Sequence, residues 1–392
     1  MPMTMDSVGD RMRSPELDGI RGVAILMVIA YHYAGFQPPN RVDAAVNALS
    51  EFGWAGVDLF FVLSGFLITG ILWDSKADER SLTKFYCRRI LRIFPLYYVF
   101  LALLSGFAAW IAPERADSRD FIHLAPWYWL YGVNFLVAQR RDFNAMPFGT
   151  GILWSLAIEE QFYLLWPLAV LKLQRGLLMR LCVLLVLCSV VLRVVLQHHG
   201  WNATAIYTIT PTRMDALAAG AFAALLLRGP ELAADLRRYG LCAFWAGAVL
   251  VGAAVLRDRL TNPYGLVMQR IGYTGIALVG LGLILATRTL AAERPLRAVL
   301  RSRFLRFFGR YSYALYMVHF VVREVVFARF PPLESLPRVA GLLFPWVLLR
   351  AACTLAVSVG IALLSWHLIE KRFLALKRLF GNGRRETPLP VS

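Results

Sequence analysis

An arginine precedes a histidine by eleven residues inside an otherwise apolar run, Leu17-Asp-Gly-Ile-Arg21-Gly-Val-Ala-Ile-Leu-Met-Val-Ile-Ala-Tyr-His32-Tyr33. On a helix turning about 100° per residue, the two side chains fall within about 20° of one face, roughly 16 Å apart along the axis. Ionisable groups are costly in hydrocarbon and tend to face a bundle interior or a wet cavity. The pair therefore suggests a polar channel with a titratable base inside it. Alcohols are poor nucleophiles until a base takes their proton, and a histidine of near-neutral pKa suits that task. The competing reading makes Arg21 and His32 headgroup anchors at the two ends of one helix.

Two further sets of polar residues extend this chemistry. Asp58, Glu159 and Asp215, with Arg213, begin or lie within apolar segments, and helix direction puts them at depths similar to that of His32. A carboxylate there could fix the imidazole tautomer and stabilise the imidazolium. Asp58 and Asp215 could equally cap helix N-termini. The second set is Lys84-Phe-Tyr-Cys-Arg88-Arg89-Ile-Leu-Arg92. Arg89 and Arg92 share a helical face. Arginine forks bind phosphates bidentately, and a helix N-terminus adds to the field. A phosphorylated cofactor could dock there, or these could be topology charges touching lipid headgroups. His319 lies mid-helix, where a packing hydrogen bond and a functional role are both open. His123, His198, His199 and His367 read as loop or interfacial residues.

The elements that must position these residues are membrane helices. The chain is 392 residues long, 58% hydrophobic and strongly basic, at +17. Its mean hydropathy is +0.56. Apolar runs of spanning length recur from end to end. Most of the 42 Lys and Arg fall in short loops between these runs, a pattern of topology rather than of nucleic-acid binding. The expected fold is all-α, a polytopic transmembrane bundle of about ten spans. These cover residues 17–34, 56–73, 94–112, 151–171, 178–197, 213–228, 240–256, 271–287, 311–329 and 340–369. The positive-inside rule places both termini in the cytoplasm and makes 121–138 an external interfacial segment rather than a span. Residues 1–16 and 374–392 are expected as cytoplasmic tails around one membrane domain, 17–373. The first apolar run keeps its charges and lacks a small-x-small cleavage site, so it reads as a retained helix. The five cysteines form no CxxC pair, and neither a zinc site nor a disulfide framework is expected.

Seven segments occur in an order that resembles the acyltransferase-3 family of bacterial integral-membrane O-acyltransferases. They are LDGIRGVAILMVIAYHY (17–33), GVDLFFVLSGFLIT (56–69), FYCRRILRIFPLYY (85–98), WSLAIEEQFYLLWPL (154–168), RMDALAAGA (213–221), GRYSYALYMVH (309–319) and SWHLIEKRF (365–373). The resemblance implies a protein of the bacterial inner membrane that takes an acyl group, often acetyl, from cytoplasmic acyl-CoA. It delivers that group to a carbohydrate, lipid-linked sugar or macrolide-like acceptor outside. Acyl-CoA would be a co-substrate, with no tightly bound cofactor. The family's Arg-x10-His pair maps onto Arg21 and His32, its RxxR motif onto Arg89 and Arg92, and its acidic position onto Glu159. On this reading His32 is the catalytic base or a transient acyl carrier. Glu159 and Asp58 orient His32 or the acceptor, while Arg21, Arg88, Arg89 and Arg92 hold the donor. The chain ends soon after the last helix, as the stand-alone form of the family would. A transporter or flippase of a lipid-linked sugar would also place polar residues inside helices. It would often carry repeated halves, which this sequence lacks.

Overall fold

The structure is a computed structural model that describes residues 14–377 apart from 37, 260, 292 and 293. Residues 1–13 and 378–392 of the expected tails lie outside the described residues. Among the described residues there is no strand. The first half of the chain runs α1 (Pro15–Tyr33), α2 (Arg41–Glu51), α3 (Gly56–Asp74), α4 (Ser81–Gly106), α5 (Ala116–Trp129), α6 (Val133–Arg140) and α7 (Trp154–Lys172). The second half runs α8 (Arg175–His198), α9 (Ala203–Thr208), α10 (Met214–Leu226), α11 (Ala233–Asp258), α12 (Tyr273–Thr289), α13 (Pro295–Leu300), α14 (Arg303–Arg310), α15 (Ser312–Phe327), α16 (Phe344–Ser365) and α17 (Lys371–Ala375).

Each of the expected apolar segments falls on a helix, but only part of the set is long and apolar enough to cross a membrane. Six stretches meet that description by length and composition: Arg41–Asp74, Ser81–Ile111, Arg175–His198, Ala233–Asp258, Met268–Thr289 and Phe344–Ala375. The shortfall has a physical cause. Helix α1 carries Glu16, Asp18 and Arg21, and α7 carries Glu159 and Glu160. Helices α10 and α15 have 13 and 16 residues, fewer than the roughly 20 that hydrocarbon thickness asks for. These four helices hold much of the candidate chemistry. Segment 121–138 is not a single helix: α5 and α6 break at Tyr131, whose φ is 53°.

Backbone contact fixes the helices that matter. A Cβ on Gly65 of α3 would lie 1.9 Å from the carbonyl oxygen of Leu217, and one on Gly220 of α10 would lie 1.9 Å from that of Val62. Only glycine lets the two backbones approach so closely, a usual device between membrane helices, where apolar burial gives no driving force. Helices α1 and α14 repeat it: Gly22 meets Leu305 O and Gly309 meets Asp18 O, at 2.0 and 1.8 Å from their notional Cβ atoms. Helix α1 itself starts with Pro15 in its first turn beside Glu16 and Asp18, as a helix N-terminus favours.

The loop from α3 to α4 is pinned, which sets where the α4 arginines point. Lys76 Nζ donates to the carbonyls of Val170 and Leu173, at 2.9 and 2.5 Å. The hydroxyls of Ser75 and Ser81 are 2.6 Å apart. Lys84 Nζ donates to Asp78 Oδ2 at 2.6 Å, and that hydrogen bond holds the Asp78 carboxyl below its usual range.

Candidate active site

The site has two ends, set by the two ends of α1. At the Arg21 end is a cavity of about 800 Å³, including the solvent in its open mouth. Arg21 from α1, Arg89 and Arg92 from α4, Glu159 and Tyr163 from α7, and Tyr313 and Tyr316 from α15 line it. The i, i+3 spacing of Arg89 and Arg92 gives them one helical face. Arg88, about 100° round the helix from Arg89, is not among the residues that line this cavity.

The charges in this cavity are unevenly matched. Arg21 Nη1 donates to Asp18 Oδ1 at 2.8 Å, a half-exposed pair one turn apart. Arg89 lies over the ring of Tyr163, 5.1 Å from its centroid. Among the described residues, neither Arg89 nor Arg92 has a carboxylate within ion-pair distance. The Glu159 carboxylate accepts from Ser64 Oγ at 2.8 Å and from the Tyr163 hydroxyl at 2.9 Å, with no arginine bonded to it. The lining also holds Glu160, so the arginines share the cavity with two glutamates. The guanidinium groups of Arg89 and Arg92, not bonded to a carboxylate, suit a phosphate or other anion.

The other end of α1 carries His32, half buried against the fully buried His319 of α15. His319 Nε2 is 3.1 Å from His32 Nδ1, which is also 2.9 Å from Val28 O. His319 Nδ1 is 2.9 Å from Tyr316 O and 3.2 Å from Leu315 O. The ring of Phe320 stands edge-on to His32, with centroids 5.1 Å apart. Tyr316 links the two ends: it lines the cavity, and its ring centroid is 5.7 Å from that of His319.

Two expectations about carboxylates need correction. Asp58 does not touch His32. It is fully buried in an ion pair with the equally buried Arg213 of the 210–213 turn. Arg213 is boxed by aromatic rings, 4.0 Å from the Tyr273 centroid and 4.9 Å from that of Tyr207. A second buried pair adjoins it, Arg193 Nη1 to Asp215 Oδ2 at 2.8 Å, with Thr274 Oγ1 bonded to both partners. These aspartates neutralise buried arginines, so they serve packing and charge balance rather than the imidazole. Glu159 also lies away from His32, bonded to Ser64. Ser64 follows Asp58 by six residues, roughly 9 Å further along α3. The chain enters α7 through residues Pro147–Leu153, which are kinked at Phe148 and Gly149 with φ of 53° and 66°, so helical counting from the loop does not fix where Glu159 lies.

The imidazole partner that the sequence left undecided is His319. Arg193, Ser64 and Tyr163 were not singled out at all. Tyr163 had a local signal, since it stands one helical turn after Glu159. Arg193 had the signal of a lone cation inside the apolar stretch 181–197. Among the described residues, no group of three or more His, Cys, Asp or Glu is placed to hold a metal ion.

An all-helical bundle with an anion-ready cavity at one end and an imidazole pair at the other describes a membrane protein of the group-transfer kind. A family model described as "Acyltransferase domain" matches residues 14–365, nearly the whole described chain. The chain belongs to this acyltransferase-3 family. It is 30% identical over 378 residues to the peptidoglycan O-acetyltransferase OatA of Listeria monocytogenes, covering 91% of this chain and 55% of that protein. It is 31% identical over 226 residues to the O-acetyltransferase OatA of Staphylococcus aureus, covering 54% of this chain and 34% of that one. The chain thus spans about half the length or less of these curated relatives. No solved structure matches it.

Proposed function

We propose that this protein is a multi-pass O-acyltransferase of the bacterial inner membrane. It moves an acyl group, acetyl by analogy with the named relatives, from cytoplasmic acyl-CoA to a hydroxyl of a cell-envelope carbohydrate such as peptidoglycan. On this reading about ten helices cross the bilayer, both termini are cytoplasmic, and the Arg21 end of α1 faces inward. The observation that carries the proposal is the pair of arginines, Arg89 and Arg92, that line a cavity and form no ion pair among the described residues. Acyl-CoA supplies phosphates for such charges and a flexible arm long enough to cover roughly 16 Å along α1.

The chain's own residues then divide the work. Arg21, Arg89 and Arg92 bind the anionic head of the donor at the inner end. Glu159, held by Ser64 and Tyr163, keeps a polar wall beside the arm. The arm passes Tyr316 to bring its thioester to His32. The proton of the acceptor hydroxyl goes to His32 as the oxygen attacks the acyl carbon. The C–O bond forms, the C–S bond breaks, and His32 returns the proton to the departing thiolate.

Purified protein in sealed vesicles, with the Arg21 end inside, tests this. Acetyl-CoA is enclosed in the lumen and a peptidoglycan fragment is added outside. O-acetylated product is expected outside without leakage of acetyl-CoA, and His32→Ala is expected to lower its rate by 10²–10⁴-fold, the usual contribution of general-base catalysis. Product that forms only when both substrates share a compartment would overturn the transmembrane transfer.

A further inference from the structure

The pairing of His32 with His319 goes beyond what the arginines explain, and hydrogen-bond chemistry settles its protons. A backbone carbonyl can only accept. His319 Nδ1 faces the carbonyls of Tyr316 and Leu315, so Nδ1 carries the proton and Nε2 of neutral His319 keeps a lone pair. His32 Nδ1 faces Val28 O, so it too carries a proton. The one contact between the rings joins His32 Nδ1 to His319 Nε2 at 3.1 Å. Donor and acceptor are therefore complementary, and His32 Nδ1–H is shared between Val28 O and His319.

We infer that His319 is the positioning residue of His32: it accepts the Nδ1 proton, holds the ring, and leaves His32 Nε2 as the nitrogen that reacts. The inference rests on the proposed acyl transfer for its consequence, but not for its geometry. Histidine bases commonly have this second partner, and in many enzymes it is a carboxylate. Here the two carboxylates expected beside His32 are bonded elsewhere, Asp58 to Arg213 and Glu159 to Ser64 and Tyr163. An imidazole suits the place because a neutral acceptor costs far less to bury than an unpaired charge. Val28 O alone is a weaker hold, since it also accepts the backbone N–H of His32 within α1.

The partner is itself anchored, as a positioning residue must be. The Tyr33 hydroxyl donates to His319 O at 3.1 Å and lies 2.9 Å from Ser358 Oγ. These bonds tie α1, α15 and α16 together around the pair. Both mechanisms left open for His32 use the nitrogen so exposed. A base takes the acceptor proton on Nε2. An acyl carrier attacks the thioester with the same lone pair, releases the thiolate, and passes the acyl group to the acceptor oxygen.

The test combines a spectrum with two variants. In the full chain labelled with ¹⁵N-histidine in lipid nanodiscs, the His32 signals are assigned by their loss in His32→Gln. At neutral pH they are expected to show a protonated Nδ1 and a bare Nε2. A proton found on Nε2 would overturn the inference, whether or not the protein transfers any acyl group. Kinetically, His319→Leu is expected to lower kcat at least tenfold while the KM for acetyl-CoA stays within twofold. His319→Gln, whose amide oxygen can accept the Nδ1 proton, is expected to recover most of that loss. A Leu variant with wild-type kcat, or a Gln variant no better than Leu, would reduce His319 to packing. Should the Leu variant fail to fold, the spectrum and the Gln variant still decide. A wild-type chain that transfers nothing would fail the acyltransferase reading and leave the spectrum to judge the pairing.

Discussion

Two groups of arginines sit within this bundle and are handled in opposite ways. Arg213 and Arg193 are fully buried, ion-paired with Asp58 and Asp215 and packed against aromatic rings. Arg89 and Arg92 are only partly buried, face a cavity that Glu159 and Glu160 also line, and form no ion pair among the described residues. The first arrangement solves a packing problem inside the chain, because a buried charge needs a partner there. The second leaves guanidinium groups open to a cavity. What differs among these four arginines is a directly bonded counter-ion within the chain.

The largest effect should come from breaking the paired group. Asp58→Ala leaves Arg213 charged, buried and alone, a change that typically costs about 3–5 kcal/mol. Thermal unfolding of the purified variant should show a large loss of stability, or the variant should fail to accumulate. A variant that folds normally but loses acyl transfer would move Asp58 from architecture to chemistry and dissolve the contrast. The unpaired group should answer differently. Arg89→Ala with Arg92→Ala removes charged hydrogen bonds to the donor, each worth about 1.5–3 kcal/mol. The KM for acetyl-CoA should rise at least tenfold while thermal stability stays near wild type. An unchanged KM with a lower protein level would return these arginines to the role of topology charges.

How far the sequence reaches follows from which contacts are local. The common face of Arg89 and Arg92 is a matter of three residues on one helix, so it could be read directly. The helical character of the apolar runs could be read too, because hydropathy and length suffice. The pairing of Asp58 with Arg213 joins positions 155 apart, and that of His32 with His319 joins positions 287 apart. Helical phase says which way each residue turns on its own axis, but not which helix stands opposite. Sequence alone therefore sets Asp58 near the histidine, whereas the structure pairs it with Arg213 of the turn before α10. The Arg21 and His32 spacing lies on one helix and could be read directly. It did not reveal that Tyr316 stands between the two ends.

A fifth arginine sharpens the comparison with the smallest expected effect. Arg228 follows α10 and lies at the Arg21 end, as Arg89 and Arg92 do, but it is paired. Its Nε and Nη2 donate to the two carboxylate oxygens of Asp74, each at 2.6 Å. Asp74 closes α3, so this fork ties together the ends of the two helices already joined by Gly65 and Gly220. The side chains remain 14% and 22% exposed, so solvent screens part of the attraction. Pairs near the surface contribute about 0–1 kcal/mol. Arg228→Ala should then lower thermal stability slightly and leave the KM for acetyl-CoA within twofold. Measured beside the Arg89 and Arg92 double variant, it asks whether any positive charge at this end serves the donor or only charge without an internal partner. A tenfold rise in KM for Arg228→Ala would favour a diffuse basic field over a defined phosphate site, and the pairing rule would no longer separate the two groups.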